Sequence, residues 1–159
     1  MVLIFGPETI SYRDVARVIE WCFPAGVRVI SFYDCQNGIN SNLIFEAICK
    51  FSKPNVQNIK WGKSFSQDIK EESKKQINGY IWKPKLVVNV YKREDGLDSL
   101  LRIVEELHNS GVKNVDQNTL GELMSKRISA PDPDLAVICG QAMSYFGFLP
   151  WHLRITQFL

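Results

Sequence analysis

Four short runs of β-branched and aromatic residues, at Val2–Phe5, Val27–Tyr33, Lys85–Tyr91 and Leu135–Cys139, are separated by stretches in which apolar residues recur three and four apart. Short apolar runs closed by turn residues such as Gly6-Pro7 read as buried strands, and the intervening pattern reads as amphipathic helices. Strands that alternate with helices need crossover connections. The pattern therefore predicts an α/β fold, a mostly parallel central sheet flanked by helices on both faces.

The helices carry local signals of their own. Ser11 begins the first, with Asp14 three residues on in the manner of a capping box, and Val15, Val18, Ile19 and Cys22 give it one apolar face. Pro24 and Gly26 end it. Asn40 or Ser41 caps a second helix, with Leu43, Ile44, Ala47, Ile48 and Phe51 on one side. A third runs from Gly96 to Ser110, where Leu97, Leu100, Leu101, Val104 and Leu107 are expected to form a core stripe and Gly111 to cap the end. A short fourth is expected around Thr119–Arg127. Residues 52–84 are polar, lysine-rich and aperiodic, and read as an insertion in a single domain over 1–159, with a short helix near Ser66–Gln76.

Composition excludes several function classes. The formal charge of +2 is too small to argue for nucleic acid, and the lysines between Lys60 and Lys85 are diluted by Asp68, Glu71 and Glu72. Cys22, Cys35, Cys49 and Cys139 form no CxxC pair and only His108 and His152 accompany them, so no zinc site is expected. Cys22, Cys49 and Cys139 lie in apolar runs and read as reduced core residues. No apolar run approaches the ~20 residues of a membrane-spanning helix, and there is no secretory signal.

The C-terminal region holds the most specific pattern. Pro131-Asp132-Pro133-Asp134-Leu135 leads to Gly140 and then to Gly147-Phe148-Leu149-Pro150-Trp151-His152. This resembles the hallmark segment of the cis-prenyltransferases, the undecaprenyl and dehydrodolichyl diphosphate synthases. The Gly147–His152 block is closer to one branch, the Nogo-B receptor and its fungal counterparts. So are Ile10-Ser11-Tyr12-Arg13-Asp14-Val15-Ala16-Arg17, Trp21-Cys22 and Ile30-Ser31-Phe32-Tyr33-Asp34. The likeness covers Val2 to Phe158 apart from the lysine-rich insertion.

The resemblance implies a substrate site whose charged groups are gone. Active members place a metal- and diphosphate-binding aspartate after the first strand, where this chain has Gly6, with Glu8 nearby but out of register. Two arginines and a serine that grip isopentenyl diphosphate correspond to Ile138, Ser144 and Phe146. The acidic and asparagine positions after the second strand correspond to Gly38 and Ile39. Gly140 is the phosphate-loop glycine retained. A charged hydrogen bond to phosphate contributes about 1.5–3 kcal/mol, so losing two arginines weakens diphosphate binding by orders of magnitude. Phe146 is also expected to fill volume where phosphate would sit.

The implied role is that of a non-catalytic accessory subunit with no catalytic residue, metal or cofactor of its own. It would stabilise and activate a catalytic homologue that binds Mg²⁺ and both substrates, in a heteromer making polyprenyl diphosphate for dolichol and protein glycosylation. A homodimer is expected in isolation. The implied location is the endoplasmic reticulum membrane, cytosolic face, reached through a partner or an N-terminal anchor. That anchor and a C-terminal Arg-x-Gly tail are family features outside residues 1–159. Tyr145, Phe148, Leu149, Pro150, Trp151, His152 and Arg154 form an aromatic cluster expected at the partner interface. Taken alone, Asp132 and Asp134 read as turn caps beside proline, His152 as a packed or interface histidine with no evident carboxylate orienter, and Ser11 as a helix cap. Two rival readings stand beside the subunit: a receptor or scaffold binding protein with no role in prenyl synthesis, and a weak enzyme using Glu8 for metal.

Overall fold

The computed structural model describes residues 1–36, 38–51, 56–62, 85–111, 115–127, 131–153 and 156–159. Among them β1 (Val2–Phe5), α1 (Tyr12–Cys22), β2 (Val29–Asp34) and α2 (Ser41–Phe51) come first, followed by β3 (Ile59–Trp61) and β4 (Leu86–Lys92). Then come α3 (Leu97–Asn109), α4 (Gln117–Arg127), β5 (Leu135–Cys139) and β6 (Gln157–Phe158). The strands form one sheet in the order β3-β4-β2-β1-β5-β6, and every pairing in it is parallel.

Strand alternation divides the interior into two cores. Leu3, Ile30, Phe32, Val88 and Val90 point to one face and meet Val15, Ile19 and Cys22 of α1 and Ile44, Ala47 and Ile48 of α2. Val2, Ile4, Tyr33 and Ala136 point to the other and meet Ile103 of α3, Met124 of α4, and Phe148 and Leu149. Side chains two apart share a face, so β1 feeds Leu3 to one core and Val2 and Ile4 to its opposite.

Several local expectations hold. Ser11 is the N-cap of α1, its Oγ accepting from the Asp14 amide at 3.3 Å. The aspartate does not complete a reciprocal box but faces Arg17 at 3.5 Å. Gly111 follows α3 at φ 71°, its amide donating to the His108 carbonyl. Cys22 is buried, and Cys35, Cys49 and Cys139 are half-buried.

Three expectations change. The stretch read as aperiodic contains β3, whose Ile59 and Trp61 are buried on either side of exposed Lys60. Three residues are too few to register as a strand period. The helix expected near Ser66–Gln76 lies outside the described residues. In α3 the expected stripe splits: Ile103 is 3% exposed, and Leu100 and Leu107 pack on the second core. Leu97, Leu101 and Val104 stand 46%, 53% and 52% exposed. At about 100° per residue these two triplets lie roughly a quarter-turn apart, and the sheet covers only one.

Candidate functional site

In parallel sheets ligands gather at the carboxyl ends of the strands. Here β1 ends at Phe5 and passes into buried Gly6, whose amide continues the ladder by donating to the Cys139 carbonyl at 2.9 Å. Two residues later Glu8 turns back over that junction. Its Oε1 accepts from the Gln141 amide at 2.9 Å. Its Oε2 would collide with a Cβ at Gly6, and lies 2.7 Å from where a Cβ at Gly140 would be. Both positions therefore need glycine for the carboxylate to lie between β1 and β5. The Phe146 ring covers the same spot, its Cζ 3.3 Å from the position of a Gly6 Cβ.

Phe146 is held there by other elements. It has φ 48°, in a left-handed region that costs a non-glycine residue about 1–2 kcal/mol. Tyr33 of β2 donates its hydroxyl to the Phe146 carbonyl at 2.9 Å. The Leu97 amide donates to the Gly147 carbonyl at 3.0 Å. Gly96 lets that carbonyl approach, since a Cβ at Gly96 would collide with it. Burial pushes the Tyr33 phenol up to about 12, so at neutral pH it is a donor.

Asp34, at the end of β2, is buried and committed to the next turn. One oxygen accepts from the Gln36 amide at 2.8 Å, the other from Gly38 at 2.6 Å and Ile39 at 2.9 Å. The Cys35 thiol is pushed up, by burial first and by the Asp34 carboxylate second, with Glu8 adding to the effect. This end of the sheet thus has acidic groups close to its thiol.

The positions read as a degenerate substrate site are partly gathered here. Gly6, Gly140 and Phe146 meet, and Glu8, which pattern alone left out of register, joins them. Ile138 is on β5 opposite Ile4, its amide donating to the Leu159 carbonyl at 2.8 Å. Ser144 is exposed and its Oγ accepts from the Phe146 amide, so it shapes the loop. A cavity of about 410 Å³ lies elsewhere, at the starts of β1, β2 and β5, against Arg28, Tyr91, Asp132 and Asp134.

The residues expected at an interface divide between buried and exposed positions. Phe148 and Leu149 are buried in the chain's own second core, and His152 is buried as well. Trp151 is half-buried against the same core and approaches Gly121 of α4. Tyr145 and Pro150 remain exposed, the former tilted on Phe158 at 5.0 Å. Arg154 lies outside the described residues. The aromatics cluster because they close one face of the sheet. His152 also has the carboxylate orienter that the sequence did not reveal: its Nδ1 lies 2.7 Å from Asp132 Oδ1. A carboxylate accepts, so Nδ1 donates to it, and the buried Nε2 has no hydrogen-bond partner among the described residues. With Thr156 Oγ1 donating to the Pro133 carbonyl at 2.7 Å, this contact ties the C-terminal segment to the Pro-Asp-Pro turn. These contacts span twenty residues and more, a separation that no local pattern encodes.

Comparison with known proteins agrees with this geometry. The chain is 29% identical over 158 residues to the human dehydrodolichyl diphosphate synthase complex subunit NUS1, with 92% of the chain aligned. It superposes on a probable undecaprenyl diphosphate synthase from Campylobacter jejuni with a TM-score of 0.60 at 14% identity, over 99% of this chain and 82% of that one, which establishes the fold. These likenesses support the cis-prenyltransferase family, Nogo-B receptor-like branch, for this chain. The mouse Nus1 subunit is likewise 29% identical, and the Saccharomyces cerevisiae NUS1 subunit is 21% identical over 182 residues. The chain spans about half the length of these curated relatives, 51%, 50% and 47% respectively. No protein-family profile matches it.

The family's chemistry uses magnesium beside a diphosphate, and the residues at this end of the sheet do not fit that pair. Among the described residues no three His, Cys, Asp or Glu side chains converge. Asp34 is committed to three amides, and Glu8 to the Gln141 amide. Among the described residues no helix is long and apolar enough to cross a membrane.

Proposed function

We propose that this chain is a non-catalytic accessory subunit of a dehydrodolichyl diphosphate synthase complex, stabilising and activating a catalytic cis-prenyltransferase homologue. The partner binds Mg²⁺ and both substrates, and the complex makes polyprenyl diphosphate for dolichol and protein glycosylation at the cytosolic face of the endoplasmic reticulum. One observation supports the reading: the Glu8 carboxylate and the Phe146 ring lie against Gly6, the position that the resemblance aligns with the metal- and diphosphate-binding aspartate of active members. A fixed carboxylate repels a diphosphate, and an aromatic ring gives it no donor.

The exposed stripe of Leu97, Leu101 and Val104 on α3 supports an association role. Three half-exposed apolar side chains one turn apart are the kind of surface a subunit contact covers. Leu97 abuts the 146–147 turn through Gly147, so a partner seated on α3 also touches the loop that closes the vestigial site.

The test is co-purification of this chain with a catalytic homologue, followed by incorporation of radiolabelled isopentenyl diphosphate. A stable hetero-complex yielding more polyprenyl product than the homologue alone, with no product from this chain alone, is expected. Product from the isolated chain, or no complex, would overturn the proposal; the latter outcome points to the receptor or scaffold alternative.

A further inference from the structure

The cavity of about 410 Å³ lies at the end of the sheet away from Gly6, at the starts of β1, β2 and β5. That volume is in the range of small-molecule sites. Val2 and Ser31, paired across β1 and β2, present their side chains to it from the sheet's second face. Tyr91 reaches in from β4 and Phe148 from the second core, so the interior is mainly apolar with two hydroxyls. Burial pushes the Tyr91 phenol up to about 12, and the Ser31 hydroxyl hydrogen-bonds to it, so the phenol is neutral at physiological pH.

Charge is confined to the rim, where Arg28, Asp132 and Asp134 are exposed. Asp132 is committed to His152 Nδ1 at 2.7 Å. Among the described residues neither Arg28 nor Asp134 is in an ion pair. Asp134 acts on the Met1 amine at longer range, but burial has the larger effect there and lowers that amine's pKa, which makes it a poor counter-ion. Arg28 and Asp134 stand on opposite sides of β1, since they precede β2 and β5, the two strands paired with it. Two strand spacings put those backbones about 10 Å apart. A ligand held between them needs a carboxylate and an ammonium side by side, each charge-assisted hydrogen bond being about 2.8 Å long. Its remaining surface must be apolar and suited to lie against two aromatic rings.

We propose that this cavity binds a small zwitterion, an α-amino acid with an aromatic side chain: Arg28 takes the carboxylate, Asp134 takes the ammonium, and Val2, Tyr91 and Phe148 receive the ring. A ligand carrying only one of the two charges leaves one rim group without a counter-ion and binds less tightly. The proposal goes beyond the subunit reading. It is tested on the isolated chain, so failure to form a complex with a catalytic homologue does not bear on it.

The experiment titrates L-phenylalanine, phenethylamine and 3-phenylpropionate into the wild-type chain, Arg28→Ala and Asp134→Asn, by calorimetry and by the amide resonances of Val2 and Ser31. L-phenylalanine is expected to bind the wild type saturably, at about 1 mM or tighter, with both amides shifting. The amine and the acid, each with one charge, are expected to bind at least ~10-fold more weakly. Arg28→Ala should weaken L-phenylalanine and 3-phenylpropionate and leave phenethylamine unchanged. Asp134→Asn should weaken L-phenylalanine and phenethylamine and leave 3-phenylpropionate unchanged. Both substitutions are at exposed positions, where the fold is expected to tolerate them. Absence of saturable L-phenylalanine binding, an amine or acid that binds as tightly as the amino acid, or binding indifferent to either substitution would overturn the proposal. So would binding that leaves the Val2 and Ser31 amides unmoved.

Discussion

Replacing Tyr33 by phenylalanine deletes one hydroxyl while leaving the ring on Phe148, with which it makes an edge contact at 5.2 Å. The hydroxyl donates to the Phe146 carbonyl at 2.9 Å and holds a residue at positive φ. Such a bond contributes about 0.5–1.5 kcal/mol net, so near neutral pH the variant is expected to be less stable by about 1 kcal/mol. At high pH the order reverses. Burial raises the Tyr33 phenol from 10.0 to about 12, so the unfolded chain ionises before the folded one does. The stabilisation this represents is complete below pH 10.0 and is lost as pH rises through about 12. Two pKa units correspond to roughly 2–3 kcal/mol for this fully buried ring. Phenylalanine has nothing to ionise, so that loss is confined to the wild type. Urea unfolding followed by circular dichroism across pH 7–12 should therefore give two stability curves that cross at about pH 11. Curves that stay parallel, or a variant equal to wild type at pH 7, would refute the role given to the hydroxyl.

His152→Ala removes the buried contact to Asp132 and leaves a cavity, and is expected to cost about 2–4 kcal/mol in urea denaturation. Asp132→Asn keeps an acceptor oxygen and should cost clearly less. Leu101→Lys/Val104→Lys is expected to leave stability within about 0.5 kcal/mol. The same double variant should weaken co-purification with a catalytic homologue at least ~10-fold, measured by biolayer interferometry. Asp34→Ala strips the acceptor from three backbone amides at the end of β2, and thermal unfolding should report a loss of about 2–5 kcal/mol.

What the sequence disclosed is what local chemistry controls. Val2–Phe5 and Leu135–Cys139 are apolar through their length because they lie inside a sheet, and the observed strands have those same limits. Ser11 and Gly111 mark helix ends because capping involves only neighbouring residues. Helical periodicity showed which residues of α3 are apolar, but not which side meets the sheet: Ile103 went in and Leu101 stayed out through tertiary packing alone. The site divides the same way. A likeness in pattern grouped Gly6, Gly140 and Phe146, and in the structure all three lie around Glu8 and Gly6. The Glu8 contact with Gln141 and the His152 contact with Asp132 join distant segments through single side chains, which leave no periodic trace.

The position of β1 bears on how the molecule is made. Val2 pairs with Ser31 on one side and with Ala136 on the other, so β1 gains its second neighbour only after β5, more than a hundred residues on, has left the ribosome. Until then one edge of a wholly apolar strand is open, and long-range parallel pairing is slow to form and prone to aggregation. Loss of the residues around β5 therefore abolishes the native state rather than trimming it, and nascent chains of this protein are expected to depend on chaperones until that strand arrives.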